Sequence, residues 1–295
     1  MARRSERRRS RRRVVPPEPP SGLPEGRVVA VPGVGELFVR DTGGTGPAVL
    51  LLHGWLFPAD TNWFTVYGPL AEAGYRVLAL DHRGHGRGLR SEARFRLADC
   101  ADDSAALVRE LGCGPVTAVG YSMGGPIAAL MARDHPDAVS GVVMCATALE
   151  WQDPNQRVLL MASASMRLSL GLFPRLMWRL GVRRTGVRDA RMRSWLVSEV
   201  SRGSARDLAE AGREIGRYEA ASWIGEIGVP GAVVVTTDDT SVPPRKQREL
   251  AAALRGPVFE AEGSHFAVID QPKRFLPALL EALGAVSAPG AVRAA

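Results

Sequence analysis

The sequence predicts an α/β protein: a mostly parallel central sheet flanked by helices, with a helical insertion between two of its strands. Three observations predict it. Short apolar runs rich in β-branched residues alternate with longer stretches of helical spacing, the rhythm of strand and crossover helix. The later runs are almost continuously hydrophobic, as strands buried on both faces must be. The rhythm then breaks once, over residues 151–224, which carry helical patterns and no strand candidate.

Residues 1–26 join an arginine run to a proline-rich stretch. Such a composition buries too little apolar surface to offset its ordering entropy and reads as a disordered arm. Strand candidates follow at 27–31, 35–41, 48–54, 75–84, 116–122, 140–148, 231–237 and 257–263. Between the fourth and fifth, Leu97, Cys100, Ala101, Ser104, Leu107 and Leu111 recur at helical spacing. The run MGGPIAALMARDHP after the fifth carries Pro126 early, where a missing N–H costs little. The expected body is therefore 27–150 and 225–285, with the insertion at 151–224 and a tail at 286–295. The chain shows no internal repeat.

Of 295 residues, 45% are hydrophobic and 23% charged, which excludes fibrous and wholly disordered classes. No apolar run approaches the roughly 18 residues of a membrane span, and mean hydropathy is -0.05. The pI near 10.0 belongs to the arm: residues 1–13 hold eight Arg and one Glu, so the other 282 residues are neutral. Lys246 and Lys273 are the only lysines among 38 basic residues, a bias that lowers the weight of any single arginine. Cys100, Cys113 and Cys145 are odd in number and lack CxxC spacing, which fits a reducing compartment. No apolar signal region follows the paired arginines, so the expected location is cytoplasmic, with peripheral contact at a membrane surface as an option.

Chemistry concentrates at strand ends. Gly120, Tyr121, Ser122, Met123 and Gly124 spell GxSxG between a strand and a helix. This is the setting of a nucleophile elbow, where small residues let strand and helix approach and hold the serine oxygen at a helix N-terminus. Serine is a poor nucleophile unless a base lies within hydrogen-bond reach and an acid orients that base. His265, after the last strand and before the final helix, has the right topology, because the C-terminal ends of parallel strands share one edge. Asp238 and Asp239 close the strand before it. One imidazole takes only one of them, and the other is free for turn or cap duty. Asp81, His82 and His85 resemble metal ligands, but no further protein ligands to complete a site stand nearby. HExxH, GxGxxG and GxxxxGK[ST] do not occur, so no metal and no cofactor is implied.

Taken together, HGW (53–55), DHRGHG (81–86), GYSMGG (120–125), DDTSVPP (238–244) and GSHFAVIDQP (263–272) resemble the α/β-hydrolase superfamily over roughly residues 35–285. The resemblance implies Ser122 as nucleophile, His265 as base and Asp239 as acid, the last because the family's acid stands four residues before a proline, here Pro243. It also implies an oxyanion hole from the backbone N–H groups of Met123 and Trp55, with Leu56 an alternative donor where many relatives carry Pro or Gly. Serine at the nucleophile position argues against the relatives that use aspartate there, the haloalkane dehalogenases and epoxide hydrolases. The expected function is a cofactor-independent serine hydrolase of esterase or lipase type. C–C bond hydrolysis and perhydrolase or haloperoxidase chemistry are alternatives on the same triad, and a non-catalytic binder docking through the arginine arm is a third.

In the resembling family an insertion at this point caps the serine and lines the acyl pocket. Residues 158–180, rich in Leu, Met, Phe and Trp, would supply an apolar wall, or merely the insertion's own packing. Residues 151–224 hold thirteen Arg against seven acids, a net of +6. The expected substrate is a small acyl ester with an apolar acyl group. The expected wider partner is an anionic membrane met through arm and cap, rather than nucleic acid.

Overall fold

A computed structural model describes residues 17–152 and 163–287. Most of the arm expected over 1–26, the insertion's residues 153–162 and all but two residues of the expected tail lie outside the described residues. Eight strands form one sheet: β1 (Gly26–Val31), β2 (Gly35–Asp41), β3 (Ala48–Leu52), β4 (Arg76–Leu80), β5 (Val116–Tyr121), β6 (Val139–Cys145), β7 (Gly231–Thr236) and β8 (Val258–Ala261). Their order is β1-β2-β4-β3-β5-β6-β7-β8. β1 and β2 are antiparallel to their neighbours, and all later pairings are parallel.

Among the described residues the helices are α1 (Ala59–Trp63), α2 (Tyr67–Glu72), α3 (Leu97–Glu110), α4 (Gly124–Asp134), α5 (Ser163–Leu172), α6 (Pro174–Arg183), α7 (Ala190–Val200), α8 (Ala205–Arg217), α9 (Pro244–Leu254), α10 (Ala267–Asp270) and α11 (Pro272–Ser287). α6, α9 and α11 each open on proline, whose missing N–H has no intrahelical partner to lose at that position. Alternate strand residues face opposite layers. Leu50, Leu52 and Ala118 belong to the core with α3, α4 and α9, whereas Val49, Leu51, Val119 and Tyr121 belong to the core with α1, α2 and α11. Both faces of β3 and β5 are thus buried, which is why their sequences show no polar alternation.

The topology places the site. From β3 the chain crosses to β4 on one side, and from β5 it crosses to β6 on the other, so the winding reverses between β3 and β5. Crevices at such a reversal lie outside the carboxyl ends of the strands. Pairing of Leu52 with Gly120 sets His53–Gly54 beside Tyr121–Ser122 there.

Among the described residues the segment between β6 and β7 contains helices α5–α8, a single 3-10 turn and no strand of the sheet. These helices have their own apolar cluster of Leu170, Trp178, Val182, Trp195, Leu196, Val200 and Leu208, packed against Leu56, Phe57 and Phe64 of the body. Of the apolar stretch expected over 158–180, residues 158–162 lie outside the described residues. Leu170 and Trp178 turn inward, as does Val182 just beyond it, while Leu168, Leu172, Leu176 and Leu180 stay exposed. A ten-residue helix that is apolar on two opposite faces can press only one of them on the body.

Candidate active site

Ser122 sits on the turn between β5 and α4 with φ of 51°, in the left-handed region that a non-glycine residue adopts only under constraint. The constraint is visible. Ser122 N–H donates to the Cys145 carbonyl at 2.9 Å, and its own carbonyl accepts from Thr147 Oγ1 at 2.8 Å and from Gly125 N–H at 2.9 Å. The flanking glycines are steric requirements: a Cβ on Gly120 would lie 2.1 Å from the Gly124 carbonyl oxygen, and one on Gly124 would lie 2.0 Å from that of Leu52. The turn therefore lifts the serine hydroxyl out of the sheet edge at the N-terminus of α4.

His265 lies in the loop between β8 and α10, partly exposed like Ser122. Its Nε2 is 3.1 Å from Ser122 Oγ, and its Nδ1 is 2.7 Å from Asp239 Oδ2. The Tyr121 hydroxyl donates to the His265 carbonyl at 2.9 Å and fixes the loop. Asp239 is 3% exposed. Its Oδ1 accepts the N–H groups of Ser241 and Val242, both at 2.8 Å, and its Oδ2 also accepts from Thr236 Oγ1 at 2.9 Å and Gln247 Nε2 at 3.3 Å. With every other acceptor direction taken, Oδ2 has one way left to face, toward the imidazole. Asp238 is exposed, and its backbone N–H donates to the Gly263 carbonyl.

A carboxylate can only accept, so the proton of the Asp239 contact sits on His265 Nδ1 and leaves Nε2 as a lone pair for the serine proton. Opposite the serine stands the loop after β3. Gly54 N–H donates to Asn62 Oδ1 at 2.9 Å. His53 takes the His82 N–H on Nε2 and gives its Nδ1 proton to the Gly54 carbonyl, both at 2.9 Å. Leu56 follows with φ of 72°. The backbone N–H groups of Trp55, Leu56 and Met123 donate to no group among the described residues. The Trp55 ring lies under α8, where its Nε1 donates to the Leu208 carbonyl at 2.8 Å. Gly212 leaves room for it, since a Cβ there would come within 2.6 Å of the ring.

Asp81, His82 and His85 do not assemble a ligand set. Asp81 accepts the N–H groups of Ala59 and Arg87, both at 2.8 Å. The imidazoles of His53, His82 and His85 pack ring against ring, and burial holds all three below the usual histidine range, His85 at about 4. No group of three or more His, Cys, Asp or Glu disposed to hold a metal occurs among the described residues.

Sequence patterns did not single out the residues that hold the three in place: Asn62 on α1, Thr147 after β6, and Thr236 with Gln247 around Asp239. Thr147 and Thr236 at least share a signal, being polar residues at the carboxyl ends of parallel strands. Asn62 and Gln247 lie on helices, where no local pattern marks them.

A serine at a strained strand-to-helix turn thus stands within reach of an imidazole backed by a buried aspartate, at the carboxyl edge of a doubly wound sheet. The chain belongs to the α/β-hydrolase fold family, whose model matches residues 47–272. Over 101 residues it is 39% identical to epoxide hydrolase B of Mycobacterium tuberculosis, a match spanning 33% of this chain and 28% of that one. An esterase from Exiguobacterium antarcticum is similar in structure, with a TM-score of 0.76 at 18% identity, covering 87% of this chain and 98% of the other. A bromoperoxidase from Bacillus anthracis has a TM-score of 0.75 at 20% identity, covering 88% and 99%. At these identities the two structures are alike in fold.

Proposed function

We propose that this family member is a cofactor-independent serine hydrolase that cleaves carboxylic esters through an acyl-enzyme on Ser122. The observation that carries the reading is the hydrogen-bonded file from Ser122 Oγ through His265 to Asp239 at 3.1 and 2.7 Å. In this reading His265 Nε2 takes the serine proton as Oγ attacks the carbonyl carbon, and Asp239 stabilises the imidazolium. The developing oxyanion is held by Met123 N–H and by Trp55 N–H, with Leu56 N–H as the neighbouring donor. His265 then gives its proton to the departing alkoxide, and a water activated by the same nitrogen releases the acid.

Serine as nucleophile bears on the choice among the family's chemistries. Attack on an epoxide carbon would leave a serine ether, which has no carbonyl for water to enter, so the enzyme could not turn over. Attack on an ester leaves a new ester that water clears. Helices α5–α8 act as the cap, and Leu56, Phe57, Phe64 and Met192 supply an apolar acyl site. The similarity to a bromoperoxidase supports a second reading, in which hydrogen peroxide replaces water on the acyl-enzyme and releases a peracid.

Fluorophosphonate labelling tests the nucleophile, and a chain-length series of aryl esters with and without peroxide tests the reaction. Labelling on Ser122 with ester turnover supports the proposal. Absence of labelling in the folded wild type sinks it.

A further inference from the structure

Five large apolar side chains between 47% and 64% exposed lie together in sequence on α5, α6 and the junction between them: Leu168, Leu172, Phe173, Leu176 and Leu180. At 3.6 residues per turn, Leu176 and Leu180 fall on the side of α6 opposite its buried Trp178 and Val182. Leu168 and Leu172 stand likewise opposite the buried Leu170 on α5. Arg175, Arg179 and Arg183, one turn apart, form an exposed row along the flank of the α6 leucines, and Arg167 holds the matching place on α5.

The charge on this face is unbalanced. Residues 163–188 contain six arginines, Arg167, Arg175, Arg179, Arg183, Arg184 and Arg188, and no acid. None of the six takes part in an ion pair or side-chain hydrogen bond among the described residues. Several arginines of the body do pair with carboxylates, among them Arg40, Arg76, Arg83, Arg87, Arg109 and Arg248, although the exposed Arg94, Arg96 and Arg255 do not among the described residues. An exposed apolar ridge beside a row of uncompensated cations is the pattern of a helix that lies in a bilayer interface, leucines among acyl chains and guanidinium groups at phosphates.

We infer that α5 and α6 form a docking surface for an anionic lipid bilayer. The complementary charge selects this occupant over a second copy of the chain, whose matching face would bring eight flanking arginines together, four from each copy. The buried sides of the same helices belong to the apolar cluster that packs against Leu56 and Phe57, next to Trp55, so docking sets the bilayer on the outer side of the insertion that covers the candidate site. The inference does not depend on the ester reading, because binding is measured without turnover.

The test is flotation of the full chain with phosphatidylcholine vesicles, pure or containing phosphatidylglycerol, at near-physiological salt. The wild type should float with the anionic vesicles and not with the neutral ones. Arg175→Gln, Arg179→Gln and Arg183→Gln combined should weaken binding roughly 100-fold, at about a factor of five per arginine. Leu172→Gln, Leu176→Gln and Leu180→Gln combined should weaken it by a similar factor while leaving the melting temperature within a few degrees, since these side chains are exposed. Salt alone should not reproduce the leucine loss. If either triple variant floats like the wild type, the docking surface lies elsewhere, with the N-terminal arginines the first suspect. If the wild type is a dimer that the leucine variant splits while vesicle binding persists, the ridge is a protein interface and the inference falls.

Discussion

Replacing Asp239 with asparagine tests the site most sharply, because the structure dictates how the substitution fails. Asparagine can keep one oxygen on the N–H groups of Ser241 and Val242, each held at 2.8 Å. Its Nδ2 must then occupy the place of Oδ2, facing the Gln247 amide nitrogen, the Thr236 hydroxyl and His265 Nδ1. Thr236 can turn to accept, and Gln247 stays as it is because its Nε2 donates to the Val242 carbonyl at 2.7 Å and its Oε1 takes the Thr236 N–H at 3.0 Å, but the imidazole can answer only by moving its proton to Nε2. That places an N–H toward Ser122 Oγ, 3.1 Å away, where the mechanism needs a lone pair. Turnover should fall about 10⁴-fold, as loss of an orienting carboxylate does, equivalent to roughly 5 kcal/mol of transition-state stabilisation. The fold should survive, because the bonds to the loop are retained. Steady-state aryl-ester kinetics and the fluorophosphonate labelling rate should drop together, with circular-dichroism melting as the control for folding. Asp238→Asn should cost little, since Asp238 points to solvent. A loss below tenfold for Asp239→Asn, or a larger loss for Asp238→Asn, would refute the reasoning.

Ser122→Ala and His265→Ala should each remove nearly all turnover, and the double variant should be scarcely worse, because the two act as one unit; additive losses in kcat would show that they do not. Gly124→Ala forces a Cβ to 2.0 Å from a backbone carbonyl and should cost more than about 3 kcal/mol. Gly284→Ala, in an exposed helical position with open space, should instead add about 0.5–1 kcal/mol; urea melts that rank the two the other way would contradict the packing. Stability should also fall as pH drops from about 6.5 toward 4. Burial holds His85 at about 4 in the folded protein, so the unfolded chain takes up a proton that the folded one refuses, worth about 3 kcal/mol for His85 alone, with His53 and His82 acting in the same direction. Asp81, pushed up to about 6 by burial, and Asp103 and Asp270, also raised by burial, work against this by binding protons in the folded state, whereas Asp41, Asp134, Asp137 and Glu210, held low by their hydrogen bonds, work with the three histidines; a flat or rising urea midpoint from pH 7 to 4.5 would overturn the sign.

What the sequence disclosed was whatever is local. Every proposed strand run overlaps the strand that forms, missing only the first residue of β1 and of β6; burial on both faces leaves an unmistakable apolar stretch for β3 to β7, and GYSMGG reads as an elbow because turn, glycines and helix are contiguous. The helix at 97–110 follows from its spacing. Pairing His265 with Ser122 across 143 positions needed only the rule that parallel strands end at one edge. Choosing Asp239 over Asp238 was different. Residue types left both open, the likeness to a family supplied a spacing, and the structure shows the physical ground: two backbone N–H groups and two side chains seat Asp239 while Asp238 faces water. The exposed leucines of α5 and α6 were illegible for a simpler reason. An apolar residue in a helix carries no mark of which face finds a partner.

The DHRGHG segment shows how a chemically suggestive motif can serve position instead. Arg87 reaches Glu199 on α7 of the insertion and lies 3.3 Å from Asp60 and 3.7 Å from Asp81, while Arg40 pairs with Asp60 at 2.7 Å. Asp81 in turn holds the first N–H of α1, the helix whose Asn62 holds Gly54 N–H. One chain of contacts thus runs from the insertion to the backbone beside the proposed oxyanion donors, and the Trp55 ring under α8 gives a second. Burying two aspartates, a glutamate and two guanidinium groups adds little net stability, because the desolvation cost roughly cancels the pairing. What such a network does fix is geometry, since each charge has a low-energy place only where its partners stand. A donor displaced by about 1 Å forfeits much of its effect on a developing charge. A loop bound to both body and insertion through directional contacts is therefore held more closely than apolar packing alone would hold it.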